Sequence, residues 1–457
     1  MPTSEELTAI RTFYETGTTR SYDFRRKQLI NLKLAIIKHE QEIYKSLHED
    51  LKKSPEECWV TENGFLLSEI NTAILNLRYW MEPKKVKTNL LNLPSASYIL
   101  PEPMGVVLII SPWNYPLQLL FTPMVGAIAA GNCIVLKSSE FAPSTASLMN
   151  KIIEETFEKK YILFTEGDGA DVIPQMMNSF VFDHVFYTGS TTVGKLIYQM
   201  AANELVPVTL ELGGKSPCVV ESDADIKVAA KRIAMTKFSN AGQMCVAPDY
   251  LLVHESKKEE LVKELKKVLR IFFGEDPSMS NYYGKIINEK QFDRLIKYMT
   301  NGKIVHGGKT DKARLYIEPT IIEGVEINSP LMKEEIFGPV FPVLTFSTME
   351  EALTVISANK NPLAFYLFTS SKDKQKKWIN AVPFGGGCIN NAGFHLTNHH
   401  LPFGGRGFSG TGNYHGRFSF ETFSHKKAIM STPTWIDPAI KYPPFKGRMK
   451  LFKMVIR

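Results

Sequence analysis

The sequence predicts an α/β protein, built as a parallel, doubly wound sheet followed by a second α/β series. After Met104, short apolar runs (GVVLII, CIVLK, YILFTEG, HVFYTG and VPVTLELGG) are separated by segments of helical pattern. Strands that alternate with helices in this way read as parallel βαβ units. Beyond Pro217 the alternation resumes, with helices expected near Ile226 to Asn240, Lys257 to Phe272 and Met349 to Asn359. Strands are expected near Tyr250 to His254 and Ala364 to Thr369. The 457 residues are about three times a ~150-residue domain, so two large units are expected.

Ahead of the first strand, Leu29, Leu32, Ile36, Ile43, Leu47 and Leu51 recur at helical spacing with Lys and Glu between them, which predicts one long amphipathic helix. The opening MPTSEELTAIRTFYE mixes charges into its first turns, so no secretory signal is expected. The longest apolar runs, such as MGVVLII, fall far short of the ~18 residues of a membrane span. No repeat or low-complexity segment stands out, and TPTWIDPAIKYPP marks the expected end of the compact fold.

Five cysteines, Cys58, Cys133, Cys218, Cys245 and Cys388, are an odd number without paired spacing. That suits free thiols in a reducing compartment, so a cytoplasmic location is expected. No zinc pattern occurs among them, and the histidines of HLTNHH (His395, His399, His400) lack a CxxC or HExxH partner, so no metal is expected. The net charge of +7 is concentrated at one end: residues Pro438 to Arg457 hold Lys441, Lys446, Arg448, Lys450, Lys453 and Arg457 and no acid. The body is nearly neutral, so a nucleic-acid partner is not expected.

Parallel sheets bind ligands at the carboxyl ends of their strands. The residues just past the predicted strands are Ser111-Pro-Trp-Asn-Tyr, Lys137-Ser-Ser-Glu, Gly167-Asp-Gly, Thr188-Gly-Ser and Glu211-Leu-Gly-Gly. In YTGSTTVGKL, Gly189 and Gly194-Lys195 approach a nucleoside-triphosphatase loop, but Leu196 stands where a magnesium-binding hydroxyl is required. A strand, Gly-Ser-Thr and a helix N-terminus can still receive a diphosphate. EGDGADV lacks the third glycine of the dinucleotide fingerprint. Lys137 and Glu140 are either a solvated loop or a ribose contact, the carboxylate accepting from two hydroxyls.

Cys245, in SNAGQMCVAPDY, is either a buried packing residue or a nucleophile. A thiol with an ordinary pKa near ~8.5 is only a few per cent thiolate at neutral pH, so a working nucleophile needs a positive dipole or a base. Glu211 could be that base, and Asn114 could donate an amide N–H to an oxyanion, the parts of an acyl-transfer site.

The ordered stretches SPWNYP, KSSE, YTGSTTVG, LELGGK, GQMC, EEIFGPV and LPFGGRGFSG together resemble the aldehyde dehydrogenase superfamily. GQMCVAPDY, YHGRFSFETFSHK and a length without the N-terminal extension of the longer tetrameric branch resemble its class 3, or fatty aldehyde, branch. The resemblance implies Cys245 as nucleophile, Glu211 as general base and Asn114 as oxyanion donor beside the Cys245 backbone N–H. It puts Lys137 and Glu140 at the adenine ribose, Gly189 and Ser190 at the pyrophosphate with Trp113 nearby, Glu335 at the nicotinamide ribose and Phe337 at its ring. Ser138 stands where many members carry proline.

The implied architecture is a Rossmann-like cofactor domain in residues 1–82 and 104–210 and an α/β catalytic domain in 211–392. Bridging or oligomerisation segments are expected in 83–103 and 393–430, a basic tail in 431–457, and a homodimer. The implied reaction is NAD(P)-dependent oxidation of an aldehyde to its carboxylic acid through a cysteine thiohemiacetal and thioester. Glu140 favours NAD, with NADP accepted. Tyr115, Leu119 and Phe394 suggest an apolar fatty, aromatic or polyene aldehyde. Two alternatives stand beside this reading: an acylating dehydrogenase, disfavoured by a base at Glu211, and a non-catalytic binding protein, disfavoured by intact Cys245, Glu211 and Asn114. As a helix, Phe445 to Arg457 would put Lys446, Lys450, Lys453 and Arg457 on one face and Phe445, Met449, Phe452 and Ile456 on another. Such a helix either packs on protein or lies peripherally on the inner face of a membrane.

Overall fold

The computed structural model describes residues 2–455. A six-stranded sheet runs in the order Gly410–Thr411, Val208–Glu211, His184–Thr188, Val106–Ile110, Cys133–Lys137, Ile162–Thr165, parallel except at Gly410–Thr411. The central Val106–Ile110 and Cys133–Lys137 strands are buried throughout. A central parallel strand is covered on both faces, which is why these segments read as unbroken apolar runs and not as alternation. Helix Pro116–Ala130, buried along its whole length, follows the first of them.

A seven-stranded sheet runs Lys303–His306, Thr320–Glu323, Val340–Phe346, Tyr250–His254, Pro217–Val220, Ala364–Phe368, Gly386–Ile389, with only the first strand antiparallel. The strands expected at Tyr250 to His254 and Ala364 to Thr369 form its interior. The expected helices appear as Ile226–Phe238, Lys258–Phe273 and Met349–Ser357. A third, antiparallel sheet joins Lys84–Val86, Ala96–Pro103 and Ser424–Ser431.

Two local expectations need correction. The N-terminal helix is two helices, Tyr22–Lys38 and Glu40–Leu51, broken at His39 (φ −96°, ψ 14°). Leu29, Leu32, Ile36, Ile43, Leu47 and Leu51 are all fully buried, so the apolar spacing holds across the break. The cause is polar: the buried His39 ring bridges Glu42 Oε1 (2.8 Å) and Glu155 Oε2 (3.0 Å). In the tail, the helix spans Met449–Val455, so Phe445 and Lys446 precede it; Ile456 and Arg457 lie outside the described residues. Phe445 meets Phe452 edge to face at 5.6 Å, and Arg448 Nη1 donates to the carbonyls of Ala439 (2.9 Å) and Tyr442 (3.1 Å). These contacts are internal to the tail, and Phe445, Met449 and Met454 remain exposed. Among the described residues no helix is long and apolar enough to cross a membrane.

Candidate active site

The strand ends of the two large sheets open onto one cavity of 880 Å³. From the six-stranded sheet it receives Trp113, Asn114, Tyr115, Leu119, Gly189, Ser190 and Glu211; from the second half of the chain, Cys245, Glu335, Phe337 and Phe394. Lys137 and Glu140 are not on its wall. They sit at the end of the neighbouring Cys133–Lys137 strand, where Lys137 Nζ bonds the Ser138 carbonyl and reaches Glu140 Oε2 at 3.5 Å.

Cys245 follows a tight turn, Ser239–Gly242, in which Asn240 (φ 48°), Ala241 (φ 51°) and Gly242 (φ 74°) are all left-handed. Gly242 is required for a second reason: a Cβ there would stand 2.3 Å from the Gly338 carbonyl oxygen. The segment after the thiol is tied by Tyr366 Oη, which donates to the Val246 carbonyl at 2.6 Å. Cys245 itself is half-buried. Burial pushes its thiol up to about 12, the carboxylates of Glu335 and Glu211 add to the shift, and the backbone N–H groups of Cys245 and Val246 oppose it.

Glu211 ends its strand wholly inside the protein, and neither carboxyl oxygen has a protein partner. Burial alone pushes it well above the usual carboxylate range. An unpaired buried acid calls for an explanation; here it faces a cavity where water or substrate completes it. Asn114 donates through Nδ2 to the Gln243 carbonyl (3.1 Å), two residues before the thiol, while its Oδ1 has no partner. An amide carries two N–H groups, so the second is left for a cavity ligand.

The remaining expected residues fit a dinucleotide. Ser190 caps helix Thr191–Asn203, accepting from Val193 N–H at 3.3 Å, and a helix N-terminus of this kind attracts phosphate. Glu335 lies against Gly213 so closely that a Cβ there would meet its Oε2 at 1.9 Å; burial, then repulsion from Asp249, raises its carboxyl to about 8. Phe337 sits in the left-handed region (φ 48°) and its ring meets Trp113 edge to face at 5.4 Å. Among the described residues no group of His, Cys, Asp or Glu could hold a metal ion. The His395 ring turns to Cys388 (3.6 Å), away from the His399 and His400 pair.

Several wall residues escaped the sequence reading. Tyr414 and His415 are both 1% exposed, and the His415 ring stacks on Phe403 at 5.0 Å with neither nitrogen bonded. Burial drops His415 to about 3, so the ring is neutral. The signal lay in YHGRFSFETFSHK, which served only as a family mark. Phe65 and Gln118 also line the cavity, and nothing in their local sequence separates them from ordinary core.

A parallel dinucleotide-type sheet facing a second sheet across a thiol-bearing cavity defines an α/β dehydrogenase. The chain belongs to the aldehyde dehydrogenase family, whose profile matches residues 11–429, in its class 3-like branch, and it is an NAD(P)-dependent aldehyde dehydrogenase. It is 45% identical over 445 residues to the 4,4'-diaponeurosporen-aldehyde dehydrogenase of Staphylococcus aureus, covering 97% of this chain and 96% of that one. It is 42% identical to aldehyde dehydrogenase family 3 member H1 of Arabidopsis thaliana (99% and 94% covered). It is likewise 42% identical to a dimeric NADP-preferring aldehyde dehydrogenase of Rattus norvegicus (98% of each). A substrate-bound structure of Staphylococcus aureus AldH superposes with a TM-score of 0.97 at 44% identity, covering 100% of both chains.

The electrostatics of the cofactor-free cavity give a pH prediction. Only thiolate is alkylated, and below its pKa the thiolate fraction rises about tenfold per pH unit. With the thiol near 12, iodoacetamide labelling of Cys245 in the cofactor-free protein should keep climbing through pH 9. A plateau below pH 8, read by mass spectrometry of the Cys245 peptide, would show that the thiol is already activated.

Proposed function

We propose that this dehydrogenase oxidises apolar, long or conjugated aldehydes, with Cys245 as nucleophile, Glu211 as base for hydrolysis and Asn114 as oxyanion donor. The observation that carries the reading is the convergence of a thiol, an unpartnered acid and a free amide N–H on one cavity. After the thiol loses its proton to water in the cavity, the Cys245 thiolate bonds to the aldehyde carbon, the carbonyl π pair moves onto oxygen, and the oxyanion so formed is held by the Asn114 side chain and the Cys245 backbone N–H. A bound oxidised nicotinamide supplies the hydride acceptor, which leaves an acyl thioester on Cys245. Water then adds to the thioester carbon, Glu211 takes its proton, and the C–S bond breaks to release the carboxylic acid. Glu211 must be ionised for that step, so its burial makes hydrolysis faster as pH rises.

Hydrolysis is favoured over acyl transfer to coenzyme A because an acid stands where water would be activated. An apolar substrate is supported by Phe65, Tyr115, Leu119, Phe394, Leu396 and Phe403 on the wall and by the relative named for a polyene aldehyde.

Residues 1–82 and 104–210 would bind the dinucleotide, and 211–392 would carry the thiol. Glu140 would hold the adenine ribose and repel the extra phosphate of NADP, with Lys137 partly offsetting it, so NAD is preferred and NADP accepted. The NADP-preferring relative makes this the assignment most in need of a test. The segments 83–103 and 393–430 would bridge a homodimer. The third sheet ends on the eight-residue strand Ser424–Ser431, an edge open to pairing, and one relative is named as dimeric. The tail would lie on an anionic membrane surface, its exposed apolar residues inward and its lysines at the headgroups.

Cys245→Ala should lower turnover roughly 10⁴-fold or more while leaving NAD binding intact. Glu211→Gln should release about one equivalent of reduced cofactor per site and then stall; equal loss of burst and steady state would place Glu211 at an earlier step. In specificity constants NAD should exceed NADP, and a tenfold preference for NADP, about 1.4 kcal/mol in the barrier, would overturn the role of Glu140. Truncation after Pro444 should abolish low-salt sedimentation with anionic liposomes and slow long-chain but not short-chain turnover. A folded truncation unchanged in both would remove the membrane role.

A further inference from the structure

Lys53 and Glu62 form an ion pair with both side chains at 0% exposure, Nζ to Oε1 at 2.6 Å. Burying two charges costs more than an apolar pair of the same shape, so such a pair is weak ground for stability and raises the question of what it fixes. Neither residue lines the cavity. Their remaining contacts all fall on the segment that does. Lys53 Nζ donates to the backbone carbonyl of Asn114 (3.1 Å) and sits 3.8 Å over the Tyr115 ring. Glu62 Oε2 accepts from the backbone N–H of Gln118 (2.9 Å), in the first turn of helix Pro116–Ala130. The pair therefore grips the 114–118 segment at both ends.

The Asn114 carbonyl takes a second hydrogen bond, from Asn240 Nδ2 at 2.8 Å, and the Asn240 backbone N–H donates in turn to Glu57 Oε1 at 2.9 Å. Asn114 Nδ2 closes the loop onto the Gln243 carbonyl. The peptide that carries Asn114 is thus held by two donors, one of them a buried ammonium, next to the turn that presents Cys245. A catalytic donor has to stay within about 0.5 Å of its working position, and a peptide freed of those donors can rotate and carry its side chain with it. We infer that Lys53, paired with Glu62 and acting through the Asn114 carbonyl, is a positioning residue that aims the Asn114 amide at the oxyanion formed on aldehyde addition. This rests on the reading of Asn114 and Cys245 given above. Lys53 Nζ bonds the Asn114 carbonyl and lies over the Tyr115 ring, so the role inferred for it is geometric, exerted at Asn114.

The test is a double-mutant comparison in the full-length protein. Lys53→Met/Glu62→Gln removes both charges of the pair while keeping chain length, and the nearby Glu57 carboxyl, whose ionised form the Lys53 charge also favours, keeps the Asn240 N–H. With saturating NAD and aldehyde, its single-turnover formation of reduced cofactor should be slowed roughly tenfold to a hundredfold, the scale of a small misplacement of a catalytic group. Cys245 alkylation, which needs no oxyanion donor, should stay within about twofold, and in an Asn114→Ala background the pair change should add no more than about twofold, because the group it positions is gone. An equal slowing in both backgrounds, or wild-type single-turnover rates in a folded pair variant, would overturn the inference and leave the reading of Asn114 standing. A wild-type rate in Asn114→Ala alone would overturn that reading and the inference with it. Should the pair variant not fold, Asn240→Gly carries the same comparison. Glycine tolerates the φ of 48° at position 240 and removes the other donor to the Asn114 carbonyl, together with a longer bond to the Gln243 carbonyl (3.2 Å). Its slowing should likewise vanish in the Asn114→Ala background, and slowing that persists there would overturn the inference.

Discussion

Gln243, two residues before Cys245, is wholly buried, and its side chain commits both amide N–H groups and its oxygen to backbone. Nε2 donates to the carbonyls of Asn240 (3.0 Å) and Lys285 (2.9 Å), and Oε1 accepts from the Ile287 N–H (3.0 Å). Its own carbonyl receives Asn114 Nδ2 and Asn240 Nδ2. The turn it fixes is costly, because Asn240 and Ala241 are non-glycine residues in the left-handed region, each worth of order 1–3 kcal/mol unless surroundings over-determine it. The buried amide is that over-determination. An apolar residue in its place would strand backbone groups inside the protein, so the route of the chain into the thiol, and with it the distance from thiol to acid and amide, is set by one side chain that never touches the cavity.

The same burial that builds the site silences it. Desolvation raises both the Cys245 thiol and the Glu211 carboxyl, and the two acids of the cavity raise the thiol further. The backbone N–H groups of Cys245 and Val246 favour thiolate but do not prevail. Burial therefore favours the neutral form of both the Cys245 thiol and the Glu211 carboxyl in the cofactor-free protein. A neutral thiol reacts slowly with oxidants, so the resting site is chemically protected, and a positive charge brought into the cavity would lower both groups together.

Sequence made the parallel strands legible because their burial on both faces leaves continuous apolar runs, and it made Cys245, Glu211 and Asn114 legible because each follows a strand or turn in a recognisable local spelling. It failed where long-range polar contacts decide. His39 breaks a helix whose apolar spacing is unbroken, for the sake of Glu155 more than a hundred residues on. Lys53 and Glu62 draw no reading from the sequence, and no pattern within their own segment announces that both are drawn inside to hold residues 114–118. Tyr414 and His415 come to the wall only because the chain returns to pair Gly410 with Glu211. Charged residues at helical spacing are ambiguous until tertiary partners are known; apolar periodicity reports which face is buried, but not whether the helix is continuous.

A second polar frame sets the opposite wall. Lys215, the last residue of LELGGK, is buried against Asp249 and donates to the carbonyls of Leu331 and Glu334 (both 2.8 Å). Asp249 in turn accepts from the Ile336 N–H at 2.9 Å, and Arg294 donates to the carbonyls of Glu335 (3.1 Å) and Ile336 (2.7 Å). Every one of these bonds is made to the backbone flanking Glu335 or Phe337 or to a partner of it, which explains how a bulky Phe337 is kept at positive φ and its ring against Trp113. Close approach at this point is made where side chains are missing: Gly213, just past the six-stranded sheet, lies under Glu335 of the other half, and Gly242 lies under Gly338 within that other half. A methyl group at Gly213 would displace Glu335, and one at Gly242 would displace the Gly338 peptide beside Phe337. The cavity is thus bounded on one side by a loop pinned through Gln243 and on the other by a loop pinned through Lys215 and Arg294. The Glu211 carboxyl inside it has no protein partner, whereas Lys215 and Arg294 are committed to the frame.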